Sequence, residues 1–247
     1  MKHLPLIFAM LLSLLSNSQA ATRVTSSIPI ALPVEHADAA MNMAQRRVRE
    51  AAVKVSSGGG HGSGSYIVYR GMHMVFTAQH VTDGPIGAKY QVHKDKEMRI
   101  ATLVWSDPRT DMAVLHLSER FVTIDPMKWD PQRKIAEVGT EITYSGFPSS
   151  HKLMTFSGNV AGYAEGRQTG KQIILNTYGW FGCSGSVVYS LKGEIVGILY
   201  GVDVEYQPSM QVQENMIWVA PIQQLRIDNI VRRICSRAPK GTIRACR

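Results

Sequence analysis

The chain has 247 residues, of which 45% are hydrophobic and 19% charged, and its formal net charge is +8. This composition is typical of a globular protein with a sizeable core, and it argues against a disordered chain. Three cysteines without a C-x-x-C pair give no sign of a structural zinc site or of a multi-disulfide framework.

Residues 1–20 have the pattern of a secretory signal peptide. Lys2 and His3 give a basic start, Leu4 to Leu15 an apolar stretch, and small residues lead to Ala20. The apolar stretch is shorter than the roughly 20 residues that a helix needs to cross a bilayer, so a permanent anchor is the less favoured alternative. We therefore expect cleavage after Ala20, export to the periplasm or the exterior, and no stable membrane span in the mature chain.

Residues 21–51 form an N-terminal extension before the predicted domain. Residues 21–35 are rich in Ser, Thr and Pro and should be extended, whereas residues 36–53 contain good helix formers, with Asp38 placed to cap a helix. Whether the extension is a pro-segment, an assembly arm or a tether stays open.

From Ala52 onward the sequence contains short apolar or alternating runs separated by Gly, Pro, Asp and Asn, which is typical of antiparallel β structure. Residues 118–134 include Pro126 and Pro131 and should connect two barrel-like halves, at about 52–120 and 135–220. Residues 221–234 carry apolar side chains near helical spacing behind a proline, which predicts a C-terminal helix.

Residues 235–247 form a basic tail. The wider segment 232–247 has six basic residues and no acidic one, but no aromatic residue that could stack on bases, so nucleic-acid binding is not favoured. Cys235 and Cys246 flank a short loop, and a disulfide between them would add about 3 kcal/mol of stability in the chain-entropy account. Two free thiols are the alternative.

The segment Gly182-Cys-Ser-Gly-Ser186 carries the strongest sign of chemistry. Glycines on both sides of Ser184 permit a tight, exposed turn in which the hydroxyl projects outward and backbone N–H groups converge beside it. Taken alone, Ser184 could also be an ordinary turn serine.

A serine nucleophile needs a base, and that base needs an acceptor to hold its ring. Among the eight histidines, His80 stands out because it ends a strand-like run at a turn. Asp111 opens a core strand, where its carboxylate could be buried against His80, whereas Asp107 precedes Pro108 and is a better turn residue.

The chain resembles the trypsin/chymotrypsin-type serine peptidases, and most closely the compact HtrA-type bacterial enzymes and related viral ones. Five segments in the family's order carry this resemblance: Gly62-Ser-Gly-Ser65, Thr77-Ala-Gln-His80, Asp107-Pro-Arg-Thr-Asp-Met-Ala-Val-Leu115, Gly182-Cys-Ser-Gly-Ser186 and Gly193-Glu-Ile-Val-Gly197. It covers about residues 52–234, and it implies an all-β fold of two antiparallel six-stranded barrels.

The resemblance also implies a serine endopeptidase with His80, Asp111 and Ser184 as the catalytic triad and an acyl-enzyme intermediate. The backbone N–H groups of Gly182 and Ser184 would form the oxyanion hole. Protein or peptide substrates are implied, with no metal and no organic cofactor. A catalytically idle barrel that binds proteins, or acts as a chaperone, is an alternative, and so is a cysteine peptidase that uses Cys183.

Two departures from the family pattern refine these expectations. Digestive members have an aspartate before the nucleophile that pairs with a new N-terminus, and Cys183 cannot form that ion pair, so we expect no activation by N-terminal insertion. The sequence also ends without the PDZ domain that HtrA-type proteins append, so we expect no regulation by one.

The specificity pocket is expected beside the nucleophile and on the strand near residue 200. No acidic residue is among the candidates, so we expect small or medium apolar side chains to be preferred over Arg and Lys, although Asp203 and Glu205 lie nearby. The candidates are Tyr178, Gly179, Trp180, Phe181, Leu199, Tyr200 and Gly201.

Overall fold

The computed structural model describes residues 40–131, 134–149, 151–166, 170–206, 209–237, 243 and 246. The predicted signal peptide at residues 1–20 and most of the extension at residues 21–51 lie outside these ranges, so cleavage after Ala20 and export stay predictions. Within the described ranges, no helix is long and apolar enough to cross a membrane.

The described chain is built mainly from strands, with a helix before the first strand and another after the last. In chain order the elements are α1 (Met43–Ala51), β1 (Ala52–Ser57), β2 (Gly60–Tyr69), β3 (Met72–Ala78), β4 (Lys89–Lys94), β5 (Glu97–Asp107), β6 (Met112–Leu117), β7 (Met127–Lys128), β8 (Glu141–Gly146), β9 (Met154–Gly166), β10 (Gly170–Asn176), β11 (Val187–Ser190), β12 (Ile195–Tyr206), β13 (Met210–Pro221) and α2 (Ile227–Arg237). Single 3-10 turns cover Gln79–Val81 and Ile222–Gln224.

The first sheet has the strand order β1-β4-β5-β6-β3-β2-β7, and β1 also pairs with β2, so that β1 to β6 close into a ring. A tight turn joins β2 to β3 within this ring. Arg70 and Gly71 both have positive φ and form a two-residue loop between β2 and β3, the geometry that suits the twist of a hairpin. One detail differs from the expected antiparallel pairing, because β7 pairs in parallel with β2 and lies in the predicted connector 118–134.

The second sheet is a closed antiparallel barrel in the order β10-β13-β12-β11-β8-β9. Strands β12 and β13 form a long hairpin whose register shifts between Leu199 and Gly201 and again between Val202 and Asp203. The first of these shifts falls on residues that the sequence assigns to the specificity pocket. The prediction of an all-β fold with two barrels is confirmed.

The two barrels share a buried apolar cluster in addition to their own cores. Met74 and Phe76 of the first barrel belong to the same cluster as Tyr189 and Ile198 of the second. The buried face of α2 joins this cluster through Ile230 and Ile234. Burial of this continuous apolar surface holds both barrels and the C-terminal helix together.

The helices are present, but their bounds differ from the predicted ones. Helix α1 begins at Met43 because Asn42 and Gln45 form a capping box, with two hydrogen bonds of 2.9 Å; Asp38 lies outside the described residues. Helix α2 begins only at Ile227, because Pro221 still belongs to β13. The helix also ends later than predicted, at Arg237 instead of residue 234, and so includes Cys235, which forms a disulfide with Cys246.

Candidate active site

His80 and Asp111 lie at adjacent ends of the paired strands β3 and β6. The His80 Nδ1 atom is 2.7 Å from Asp111 Oδ2, and the His80 backbone N–H donates to Asp111 Oδ1 over 2.9 Å. The Gln79 N–H donates to the Asp111 carbonyl over 3.1 Å. Three contacts thus fix the imidazole ring against the carboxylate and leave its Nε2 atom facing away from Asp111.

The carboxylate of Asp111 controls the electrostatics of this pair. Its hydrogen bond raises the pKa of His80 above the ordinary value, and partial burial of the ring opposes that shift. Burial, and secondarily the Asp111 charge, raise the pKa of Tyr200 in the second barrel to about 12. The expected burial of Asp111 is wrong in degree, since its side chain is 21% exposed.

The turn that contains Ser184 packs directly against the strand that leads to His80. A Cβ atom at Gly185, where φ is +89°, would overlap the Ser63 carbonyl and the Thr77 hydroxyl. A Cβ at Gly62 would overlap Val81 and approach the Ser184 carbonyl oxygen to 2.9 Å. Glycine at these two positions therefore allows the backbone of Ser184 to approach the residue that follows His80.

Four successive carbonyl groups in this turn each accept a hydrogen bond. The donors are Ser149 N–H to Phe181 (2.7 Å), Ser63 Oγ–H to Gly182 (2.7 Å), Ser186 N–H to Cys183 (2.9 Å) and Ser63 N–H to Ser184 (2.8 Å). The C=O and N–H of a trans peptide point in opposite directions, so the bonds to the Phe181 and Cys183 carbonyls fix the directions of the Gly182 and Ser184 N–H groups, and the two Ser63 bonds hold the peptides that follow them. In the described part of the chain, neither of those N–H groups donates to a protein acceptor.

Sequence reasoning did not single out Ser63, which contributes two of those four donors. Its side chain is fully buried on β2, where its hydroxyl also accepts from the Phe147 N–H over 2.9 Å. Its carbonyl accepts from the Thr77 hydroxyl over 2.7 Å. In the sequence it stands only as part of the family-like segment Gly62-Ser-Gly-Ser65, where a serine between two glycines is also typical of a loop.

The sequence profile of the trypsin-like peptidase domain matches residues 62–198, more than half of the chain. The chain belongs to the trypsin-like peptidase family. The predicted resemblance is thereby confirmed. In sequence the chain matches no curated protein.

Solved structures of a protease from Mycobacterium tuberculosis, Rv3671c, have a similar fold. Its active form has a TM-score of 0.64 at 18% identity, covering 85% of this chain and 91% of that one. The inactive form of a serine-to-alanine mutant has a TM-score of 0.61 at 17% identity, covering 83% of this chain and 96% of that one. At this identity the likeness supports the two-barrel fold.

In this family member the residue before Ser184 is a fully buried cysteine. Burial raises the pKa of the Cys183 thiol, and hydrogen bonds with the Trp180 backbone and the Tyr144 hydroxyl only partly oppose that effect. Cys183 belongs to the apolar core of the second barrel. A thiol in such surroundings is largely protonated at neutral pH and poorly accessible to a substrate.

The predicted pocket residues are only partly brought together. Gly179 packs against the Ile217 side chain, so closely that a Cβ at Gly179 would clash with it, and its N–H donates to the Glu214 carbonyl over 2.8 Å. Tyr178 and Phe181 are exposed, whereas Leu199 is buried. Trp180, Tyr200 and Gly201 are of intermediate exposure.

Sequence reasoning missed Ile217 and Glu214, which β13 brings to the segment that contains Gly179. Burial is the main cause that raises the pKa of Tyr178, and the negative charge of Glu214 adds to it. An acidic group therefore does lie near the predicted pocket. Asp203 accepts from its neighbour's N–H and from the Trp218 ring, an arrangement that holds its side chain. Among the described residues, no cluster of His, Cys, Asp and Glu could hold a metal ion.

Proposed function

We propose that this chain is a serine endopeptidase in which Ser184 is the nucleophile, His80 the general base and Asp111 the residue that orients it. The observation that carries the proposal is that the Asp111 carboxylate hydrogen-bonds both the ring and the backbone N–H of His80. The packing of the Ser184 turn against the strand that leads to His80 supports it further. Family membership supports the peptidase class.

The Nδ1 atom of His80 faces Asp111, so Nε2 would serve Ser184. As the Ser184 hydroxyl oxygen attacks the scissile carbonyl carbon, Nε2 takes the hydroxyl proton, and the charged imidazole is stabilised by Asp111. The tetrahedral intermediate then breaks the C–N bond, and His80 returns the proton to the leaving amine. Water hydrolyses the resulting ester by the same steps, with Ser184 as the leaving group.

The negative charge on the intermediate's oxygen would be met by the N–H groups of Gly182 and Ser184. Removing one donor of this kind typically lowers kcat by about 10²- to 10³-fold. The hydrogen bonds to four successive carbonyl groups support a turn whose backbone is already ordered before a substrate binds. Such a turn would need no ion pair with a new N-terminus, consistent with the apolar Cys183.

The Ser63→Ala substitution tests whether Ser63 positions the oxyanion hole. It removes the donor to the Gly182 carbonyl, which belongs to the peptide between the two proposed oxyanion donors, but keeps the Ser63 N–H bond to Ser184. The bonds to the Phe181 and Cys183 carbonyls remain, so the Gly182 and Ser184 N–H groups lose only part of their support. We expect kcat to fall about tenfold with a small change in KM, less than the 10²- to 10³-fold loss that is typical when an oxyanion donor is itself removed. Steady-state kinetics on a peptide substrate measure both constants.

Ser65→Ala is the matched control for this substitution. Ser65 lies two positions further along β2, is also buried, and hydrogen-bonds the Tyr189 hydroxyl over 2.7 Å instead of the turn. Both variants should lose about 1–3 kcal/mol of unfolding free energy, whereas kcat should fall only in Ser63→Ala. Equal kcat values in the two variants would show that Ser63 has only a structural role.

The two alternative functions are less well supported. A cysteine peptidase would need an accessible thiolate, but Cys183 is buried and its pKa is raised. An idle binding barrel would have no need for the bonded pair of His80 and Asp111 or for the ordered turn beside it. Those features favour an enzyme.

We also propose that the specificity pocket accepts small or medium apolar side chains, because Ile217 closes against Gly179. Incubating the chain with a mixed peptide library and mapping the cleaved bonds by mass spectrometry tests activity and preference together. We expect internal bonds to be cleaved after such residues. Cleavage mainly after Arg or Lys would refute the preference and implicate Glu214, and an intact library would refute the endopeptidase proposal.

A further inference from the structure

A cavity of about 690 Å³ lies at the end of the first barrel opposite the triad. His73, at the beginning of β3, lines it, whereas His80 follows the end of that strand. His116 lines it from the end of β6, whereas Asp111 precedes the beginning of that strand. The cavity is therefore separate from the proposed active site and within the size range of small-molecule sites.

The wall of the cavity is a row of polar side chains across three neighbouring strands. Lys89 on β4 pairs in register with Thr102 on β5, and Thr102 pairs with His116 on β6. Residues directly opposite each other in a sheet point to the same face, so all three side chains are directed to the cavity side. The Lys89 ammonium donates to the Thr102 hydroxyl over 2.6 Å, which holds it in this row.

The C-terminal segment covers this row and adds a second permanent cation. Arg237, the last residue of α2, lines the cavity, and its guanidinium would be 3.5 Å from a Cβ placed at Gly87. Ile234 and Ile243 line the cavity from the same side, and the disulfide between Cys235 and Cys246 ties residue 243 to the helix. The cover is thus partly apolar and covalently held.

The described residues that line this cavity carry charge of one sign. Among the described residues that line it, Lys89 and Arg237 are permanently positive, His73 and His116 can become so, and none is acidic. Burial first, then His73 and Lys89, lower the pKa of His116. Positive charge is thus concentrated where none of the described lining residues carries a carboxylate, beside apolar surface from Val104, Leu117, Ile234 and Ile243.

We propose that this cavity is a binding site for a small organic anion, in which Lys89 and Arg237 hold a phosphate or carboxylate group. The His116 and Thr102 side chains supply further hydrogen bonds to the anion. The apolar cover contacts the organic body, because the cavity is much larger than an inorganic anion requires. Charge-assisted hydrogen bonds from Lys and Arg are the usual means of recognising such groups.

Calorimetric titration of the full chain with phenyl phosphate, benzoate, inorganic phosphate and phenol tests the proposal. We expect phenyl phosphate or benzoate to bind at least about tenfold more tightly than inorganic phosphate or phenol. Inorganic phosphate lacks the organic body, and phenol lacks the anionic group. The better of the two organic anions identifies the preferred head group. NMR signals of the His73 and His116 rings should shift on binding.

The double variant Lys89→Gln with Arg237→Gln should bind at least about tenfold more weakly, and both side chains are exposed enough to be replaced without loss of fold. The matched control, Lys96→Gln with Arg226→Gln, removes the same charge at exposed positions outside the cavity and should keep full affinity. Ser184→Ala should also keep full affinity. Equal weakening in both double variants, loss of binding in Ser184→Ala, or no saturable binding of either organic anion would overturn the proposal.

Discussion

Replacing Ser184 with alanine is expected to lower kcat/KM for peptide cleavage by about 10⁴- to 10⁶-fold, since it removes the oxygen atom that attacks the scissile carbonyl. The substitution removes a single oxygen atom from a partly exposed turn residue. The four carbonyl bonds that order the turn involve the backbone of residues 181–184 and so remain. Catalysis should therefore be lost while the melting temperature stays close to that of the parent chain. Kinetics on a cleaved library peptide and thermal unfolding measure the two effects.

Cys183→Ala is the control for this variant, because the two residues are adjacent in the turn. Its thiol is buried in the core of the second barrel, so the variant should lose stability while kcat/KM stays within about tenfold of the parent. A fluorophosphonate reagent should label the parent and Cys183→Ala at Ser184, and it should not label Ser184→Ala. Retained turnover in Ser184→Ala, or loss of activity only in Cys183→Ala, would overturn the serine mechanism and favour the thiol.

Residues whose chemistry is visible in a local pattern could be predicted from the sequence. His80 and Asp111 each stand where a strand meets a turn, and pairing of β3 with β6 brings the two junctions together. The alternation of apolar residues predicted the strands, and pairing of those strands closes the two barrels. Each of these predictions depends on local sequence and on a small number of strand pairings.

Ser63 could not be recognised in this way, because its role depends on a contact across the two barrels. The Gly182 carbonyl to which it donates is 119 residues away along the chain. A serine between two glycines looks the same in the sequence whether it bridges two barrels or lies in a solvated loop. The same holds for Ile217, which reaches Gly179 only because β13 returns beside the nucleophile segment.

Element ends were also predicted less well than the elements themselves. The sequence suggested Asp38 as the residue that caps α1, but the helix is capped by Asn42. Asn42 has Gln45 three residues later, at the position that completes a capping box. Pro221 was taken as the first turn of the last helix, since proline suits that position. It also suits the end of a strand, and pairing of Pro221 with Gly197 extends β13 to that residue.

Asp111→Asn should lower kcat/KM at neutral pH by about 10⁴-fold, the usual cost when an amide replaces the orienting carboxylate of such a triad. An amide can donate to Nδ1 and so favour the tautomer in which Nε2 carries the proton and cannot act as the base. The hydrogen bond that raises the pKa of His80 would also be lost. Because only the neutral ring can accept the Ser184 proton, activity rises with pH through the pKa of His80. The acid limb of kcat/KM against pH should therefore move to lower pH in Asp111→Asn.

Asp107→Asn separates this effect from a general loss of negative charge. Asp107 ends β5, its side chain is 16% exposed compared with 21% for Asp111, and it accepts from Arg109 rather than from His80. We expect its pH profile to coincide with that of the parent chain, because the His80 ring keeps its partner. If both asparagine variants shifted the acid limb equally, the raised pKa of His80 would reflect the overall charge of the turn. A shift in Asp111→Asn alone would assign it to the 2.7 Å bond between the ring and the carboxylate.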